Sequence, residues 1–165
     1  MSDRVTLARP AIMSLALRVG TAAGLGIDAV VHWQNAPAYD AVAATVSQGA
    51  LFRVDAVLAA AAGLLVLVRS RRSSWLAALL VAAGGLAAVL LYRYVDVGAL
   101  GPLPDMYEDT WQVPGKLLSA YAEGATVILA GLGLLTHRPA PPGRDRARLR
   151  IDYDSVSPGS SGVGR

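Results

Sequence analysis

Asp28 and His32 stand four residues apart in "GIDAVVHW", close to the end of a long apolar run. Asp55 follows in "LFRVDAVLAA" and Glu123 in "SAYAEGATVI". Residues at i and i+4 are neighbours on a helix face, so Asp28 and His32 project together. Three chemistries fit these residue types. Carboxylates with one imidazole offer oxygen and nitrogen donors suited to zinc, manganese or iron. On that reading His32, Asp28 and Glu123 are the candidate metal ligands, with Asp55 beside them. The single histidine and the lack of HxxxH or ExxH spacing leave that signature thin. The same groups could instead take up a proton or a small polar ligand in a low-dielectric pocket. The third reading is structural: Arg53, Arg93 and Lys116 pair with Asp28, Asp55, Asp96 and Glu123 and lock the helices together, since charges in apolar surroundings pair.

The elements that must position these groups are apolar and long. The 165-residue chain is 54% hydrophobic and only 16% charged, against about a quarter charged in a soluble domain. Four runs stand out, at 11–33, 49–68, 75–95 and 117–136. Each approaches the ~20 residues that span ~30 Å of hydrocarbon as a helix. None alternates as a barrel strand does. The fold expected is all-α: a four-helix transmembrane bundle over residues 1–137. Alanine and glycine recur in every run, as in "AAGGLAA", and small residues let helices approach closely in lipid.

Arginine sets the expected orientation. With the N-terminus inside, 12 of the 15 basic residues are cytoplasmic, and only Arg53, Arg93 and Lys116 lie outside. The short basic connection "RSRRSS" is a cytoplasmic signature. Both termini are therefore expected in the cytoplasm, in a multi-pass protein of the plasma (inner) membrane. The first run is expected to persist as a helix rather than be cleaved, because Arg18 interrupts it and it continues past any cleavage point. Arg18 is expected to snorkel back to the cytoplasmic headgroups. Residues 138–165, rich in Pro, Gly, Ser and Arg, read as a disordered basic cytoplasmic tail.

On this topology every helix brings ionisable groups to the outer leaflet: Asp28 and His32, Arg53 and Asp55, Arg93 and Asp96, Lys116 and Glu123. The outer connection "YRYVDVGALGPLPDMYEDTWQVPGK" is long for a connection. It carries Tyr94, Met106, Tyr107, Glu108 and Trp111, and reads as a stiff lid over the bundle mouth. The absence of cysteine excludes disulfides and Cys-ligated centres, iron–sulfur clusters among them. Haem is not expected either, because His137 falls about a membrane thickness from His32. No cofactor follows from the sequence. The net charge of +3 reflects topology and not a nucleic-acid partner. The partners expected are the lipid bilayer and, in one reading, another membrane protein.

The segments "SQGALFRVDAVLA", "YRYVDVGALGPLPDMYEDTW" and "KLLSAYAEGAT" resemble a group of small four-helix membrane proteins of actinobacteria. The resemblance covers about residues 10–137. It implies the four-helix architecture and a plasma-membrane location, and carries no catalytic residue. Three function classes follow. The first is a non-enzymatic protein with an outward-facing polar pocket for a small ligand or cation. The second is a structural or accessory subunit of a larger membrane complex. The third is an outer-leaflet lipid or quinone enzyme using Asp28, His32 or Glu123 as acid or base. With no nucleophile motif or phosphate loop, the enzyme reading ranks last.

Overall fold

The computed structural model describes residues 3–137; the expected tail, 138–165, lies outside them. Its helices are α1 (Asp3–Asn35), α2 (Gln48–Val68), α3 (Arg72–Tyr94) and α4 (Lys116–Thr136). All four are long and apolar enough to cross a membrane. No strand occurs among the described residues. Only isolated bridges do, Ala43 with Ser47 and Leu100 with Leu103.

Helix ends differ from the expected ones where polar residues complete a turn. The third helix begins at Arg72 rather than 75 because "RSS" supplies its first turn. Ser74 Oγ reaches back to the Arg69 carbonyl at 2.5 Å, and Trp75 Nε1 donates to Ser70 Oγ at 3.1 Å. Ser47 caps α2, its hydroxyl accepting from the Ala50 amide at 3.1 Å. That satisfies one of the four amides a helix start leaves unpaired.

The helices form a ring in which α1 packs on α2 and α4, and α3 on the same two, while α1 and α3 scarcely meet across the diagonal. The core is small-residue packing: Ala59, Ala62, Ala78, Ala82 and Ala130 with Leu25, Val66 and Trp75. Trp75 is the largest of the fully buried side chains. It fits because α4 presents Gly133 there; a Cβ at that position would run into the indole ring. Large apolar side chains such as Leu15, Val54, Leu80, Ile128 and Leu135 face outward instead. An apolar surface this extensive is foreign to a water-soluble monomer.

The two ends of the ring are unlike. At one, α2 and α3 are joined by residues 69–71 alone. Arg18 closes this end. Its Nε donates to the Val66 carbonyl at 3.1 Å and its Nη2 to that of Leu67. The last carbonyls of α2 lack helical partners and carry partial negative charge, so they hold the guanidinium at the end of the ring where the sequence expects cytoplasmic headgroups. At the other end the connections are 36–47, opening with a 3-10 helix (Ala36–Tyr39), and 95–115. They are tied together by the Val46 amide on the Pro102 carbonyl at 3.1 Å.

Candidate functional site

The loop end holds the ionisable groups. Asp28 and His32, one turn apart on α1, meet Asp55 from α2 and Glu123 from α4, with one donor atom from each lying within 4.8 Å of all the others. His32 Nδ1 lies 2.8 Å from Asp28 Oδ1, 3.1 Å from the Asp28 carbonyl and 3.4 Å from Asp55 Oδ2. A single nitrogen cannot serve all three oxygens, and Asp55 Oδ2 is buried without a hydrogen-bond partner. Ser119, one turn before Glu123 on α4, donates to Asp28 Oδ1 at 2.6 Å. Glu123 is 1% exposed, and neither of its carboxylate oxygens has a hydrogen-bond partner.

The third helix contributes an absence of side chain. A Cβ on Gly85 would collide with Glu123 Oε1, so the glycine at 85 is what lets the carboxylate occupy the bundle interior. Phe52 packs edge-on against the His32 ring, centroids 5.1 Å apart, and against Tyr39 at 5.0 Å. It holds the imidazole toward the carboxylates. Deeper, the hydroxyls of Thr21 and Thr126 are fully buried without partners.

The basic residues are elsewhere, contrary to the expected ion-pair lock. Arg53 grips Asp40 of the first connection with two bonds of 2.7 Å. Lys116 Nζ binds Glu108 Oε2 at 2.9 Å. Arg93 lies over Tyr94 and Trp111, 5.1 and 5.7 Å from the ring centroids. Asp96 is exposed and turns back onto the Gly98 amide at 3.1 Å. Among the described residues no lysine or arginine bridges to Asp28, Asp55 or Glu123. The physical reason is reach: each base sits toward a helix end where a loop acid or an aromatic ring is nearer. The Arg53 guanidinium holds the exposed Asp40 carboxyl below its ordinary range by direct hydrogen bonding.

A cavity of about 240 Å³ opens above the cluster. His32, Asp55, Ser119 and Glu123 form its polar floor, while Leu51, Phe52, Ala88 and Val89 supply apolar wall. Met106, Glu108 and Val113 of the second connection line it from above. Glu108 is the principal tie of that connection. Its amide donates to the Tyr92 carbonyl at 3.0 Å, and its Oε1 accepts from the Tyr39 hydroxyl at 2.8 Å. Asn35 adds a bond to the Pro114 carbonyl at 2.9 Å. Of the residues expected in a lid, Met106 and Glu108 reach the cavity, Trp111 packs between Arg93 and Lys116, and Tyr94 and Tyr107 are exposed.

Sequence reasoning passed over Tyr39, Gln48, Phe52, Gly85 and Ser119. The i, i+4 relation of Ser119 to Glu123 was a usable signal, matching that of Asp28 to His32. No family model matches the chain, and no curated protein or solved structure matches it either.

Proposed function

We propose that this is a small multi-pass plasma-membrane protein whose outward-facing, lidded pocket binds a cation. One observation carries the reading: Asp55 and Glu123 on the cavity floor converge with the buried Asp28 and one imidazole, and among the described residues no lysine or arginine bridges to these three carboxylates, Lys116 of the cavity lining being held by Glu108. Charges in a membrane interior cost several kcal/mol unless compensated. A floor of this composition therefore calls for positive charge from outside the chain. The outward apolar surface and the arginine asymmetry support membrane insertion with both termini cytoplasmic. That orientation puts the cavity on the external side.

The chain has no cysteine, so single cysteines report access directly. Ala88→Cys, on the cavity wall, is expected to react with a membrane-impermeant maleimide in intact cells. Ser73→Cys, at the opposite end, is expected to react only after lysis. The opposite pattern would overturn the orientation. A small cation such as tetramethylammonium or Co2+ is expected to slow labelling of Ala88→Cys. Protection that persists unchanged with Glu123→Gln added would remove the anionic floor from the account.

A further inference from the structure

Resting on the cation-pocket reading, we infer that Asp28, His32, Asp55 and Glu123 form a binding site for a divalent transition-metal ion with coordination positions open to the cavity. The four donors come from three helices and all lie within 4.8 Å of one another. Donors trans across an ion with bonds of ~2.1 Å are ~4.2 Å apart, and tetrahedral neighbours ~3.4 Å. The cluster is thus already nearly the size of a coordination sphere. The 3.4 Å separation of His32 Nδ1 from Asp55 Oδ2 matches such neighbours, and the 2.8 Å separation from Asp28 Oδ1 is a hydrogen-bond distance that ligation would widen by a few tenths of an ångström.

Independent of the clustering, both oxygens of Glu123 are buried without any hydrogen-bond partner, and Asp55 Oδ2 is in the same state. Buried polar atoms are normally paired, and an unpaired carboxylate costs more than a neutral group. Two carboxylates left this way around one point mark the place of a missing partner. The surroundings are built to hold them: Ser119 fixes Asp28, Phe52 fixes the His32 ring, and Gly85 clears space for Glu123. Groups that orient ligands in this way are part of a metal site's design.

Donor chemistry narrows the ion. An imidazole among three carboxylates disfavours magnesium and calcium, which take all-oxygen sets, and the lack of sulfur disfavours copper(I). Manganese, iron(II), cobalt(II) and zinc fit. Binding through Nδ1 requires that nitrogen unprotonated, so a proton it holds toward Asp28 moves to Nε2 or is released to solvent. Four protein donors leave a six-coordinate ion two positions, and the free space beside the floor is the cavity. Water or an oxygen-bearing solute entering there completes the shell. A site with open positions is the arrangement of a reactive or exchanging metal rather than a structural one.

The test uses the full chain in detergent, stripped with a chelator and titrated with Co2+, whose visible spectrum reports ligation. Expected is one Co2+ per chain by elemental analysis, with affinity at least ~10-fold lower for Glu123→Gln. Gly85→Ala changes no donor yet crowds Glu123, and is expected to weaken binding ~10- to 100-fold, the range for supporting groups. Ser119→Ala serves the same purpose if Gly85→Ala fails to fold. Co2+ binding that is absent, or unchanged in Glu123→Gln and in the folded supporting variant, would overturn the metal site. Tetramethylammonium protection of Ala88→Cys that survives such a failure leaves the cation pocket standing. Loss of both removes both.

Discussion

Glu123→Gln separates a structural carboxylate from a binding one, because the two roles predict opposite signs. Were Glu123 half of a buried ion pair, removing its charge would strand the partner and cost about 3–5 kcal/mol. At roughly 2–4 °C per kcal/mol for a chain of this size, the melting temperature would fall by about 6–20 °C. The structure gives Glu123 no such partner. Its neighbours within 4.8 Å are two carboxylates and an imidazole. At an effective dielectric constant of about 20, two like charges at that separation repel by ~3.5 kcal/mol, which sets the scale of the gain on neutralising an ionised Glu123. In chelator, therefore, the variant is expected to melt at the wild-type temperature or up to about 14 °C above it. Added Co2+ reverses the order. At a hundred times its dissociation constant a ligand stabilises by ~2.7 kcal/mol. Wild type is then expected to gain roughly 5–11 °C, while the variant gains little. The assay is thermal unfolding in detergent, with and without chelator. A variant that melts far below wild type in chelator would refute the reasoning, since it would mean that Glu123 has a counter-charge.

Trp75→Ala is expected to cost about 3–5 kcal/mol, read as the largest drop in melting temperature among these variants, because the ring fills the tight end of the bundle. Arg18→Gln leaves α2 carbonyls short of donors and is expected to cost about 1–3 kcal/mol in the same measurement. Glu108→Gln weakens the tie to Lys116, and hydrogen exchange over 95–115 is expected to quicken while the helices keep their protection. The depressed Asp40 carboxyl implies a pH dependence of definite sign. Its bond to Arg53 contributes fully above the ordinary value of 3.8 and is lost as pH falls below it. Exchange of the first connection is expected to rise only in that acid range, and Asp40→Asn is expected to abolish the dependence.

The four spans were legible because each is a continuous apolar run of membrane length; the ends of α2, α3 and α4 moved by three residues or fewer, whereas α1 begins at Asp3, eight residues before the apolar run that announced it. The face shared by Asp28 and His32 was legible from spacing alone. What was not legible was the fate of Arg53, Lys116 and Arg93. Their partners, Asp40, Glu108 and Trp111, lie in or beside connections whose paths no helical period encodes. Charge counting paired bases with the acids nearest in depth, but Arg53 and Lys116 take the loop acids within their reach and Arg93 takes aromatic rings. Gly85 was illegible for a different reason. A glycine in a run of alanines looks like one more small residue until the opposite side chain is known.

The tight end of the ring also governs how the far end moves. With α2 and α3 joined by three residues and Trp75 seated on Gly133, neither pair of helices separates there without expelling an indole. That end is a fulcrum. Glu123 lies ten residues from Gly133 on α4, a lever arm of ~15 Å. A tilt of about 5° at the fulcrum shifts the carboxylate by ~1.3 Å over that arm. This exceeds the few tenths of an ångström by which transition-metal bond lengths differ. The helices alone therefore set no fixed aperture, and the spacing of the four side chains at the open end depends on the Glu108 tie that spans the jaws.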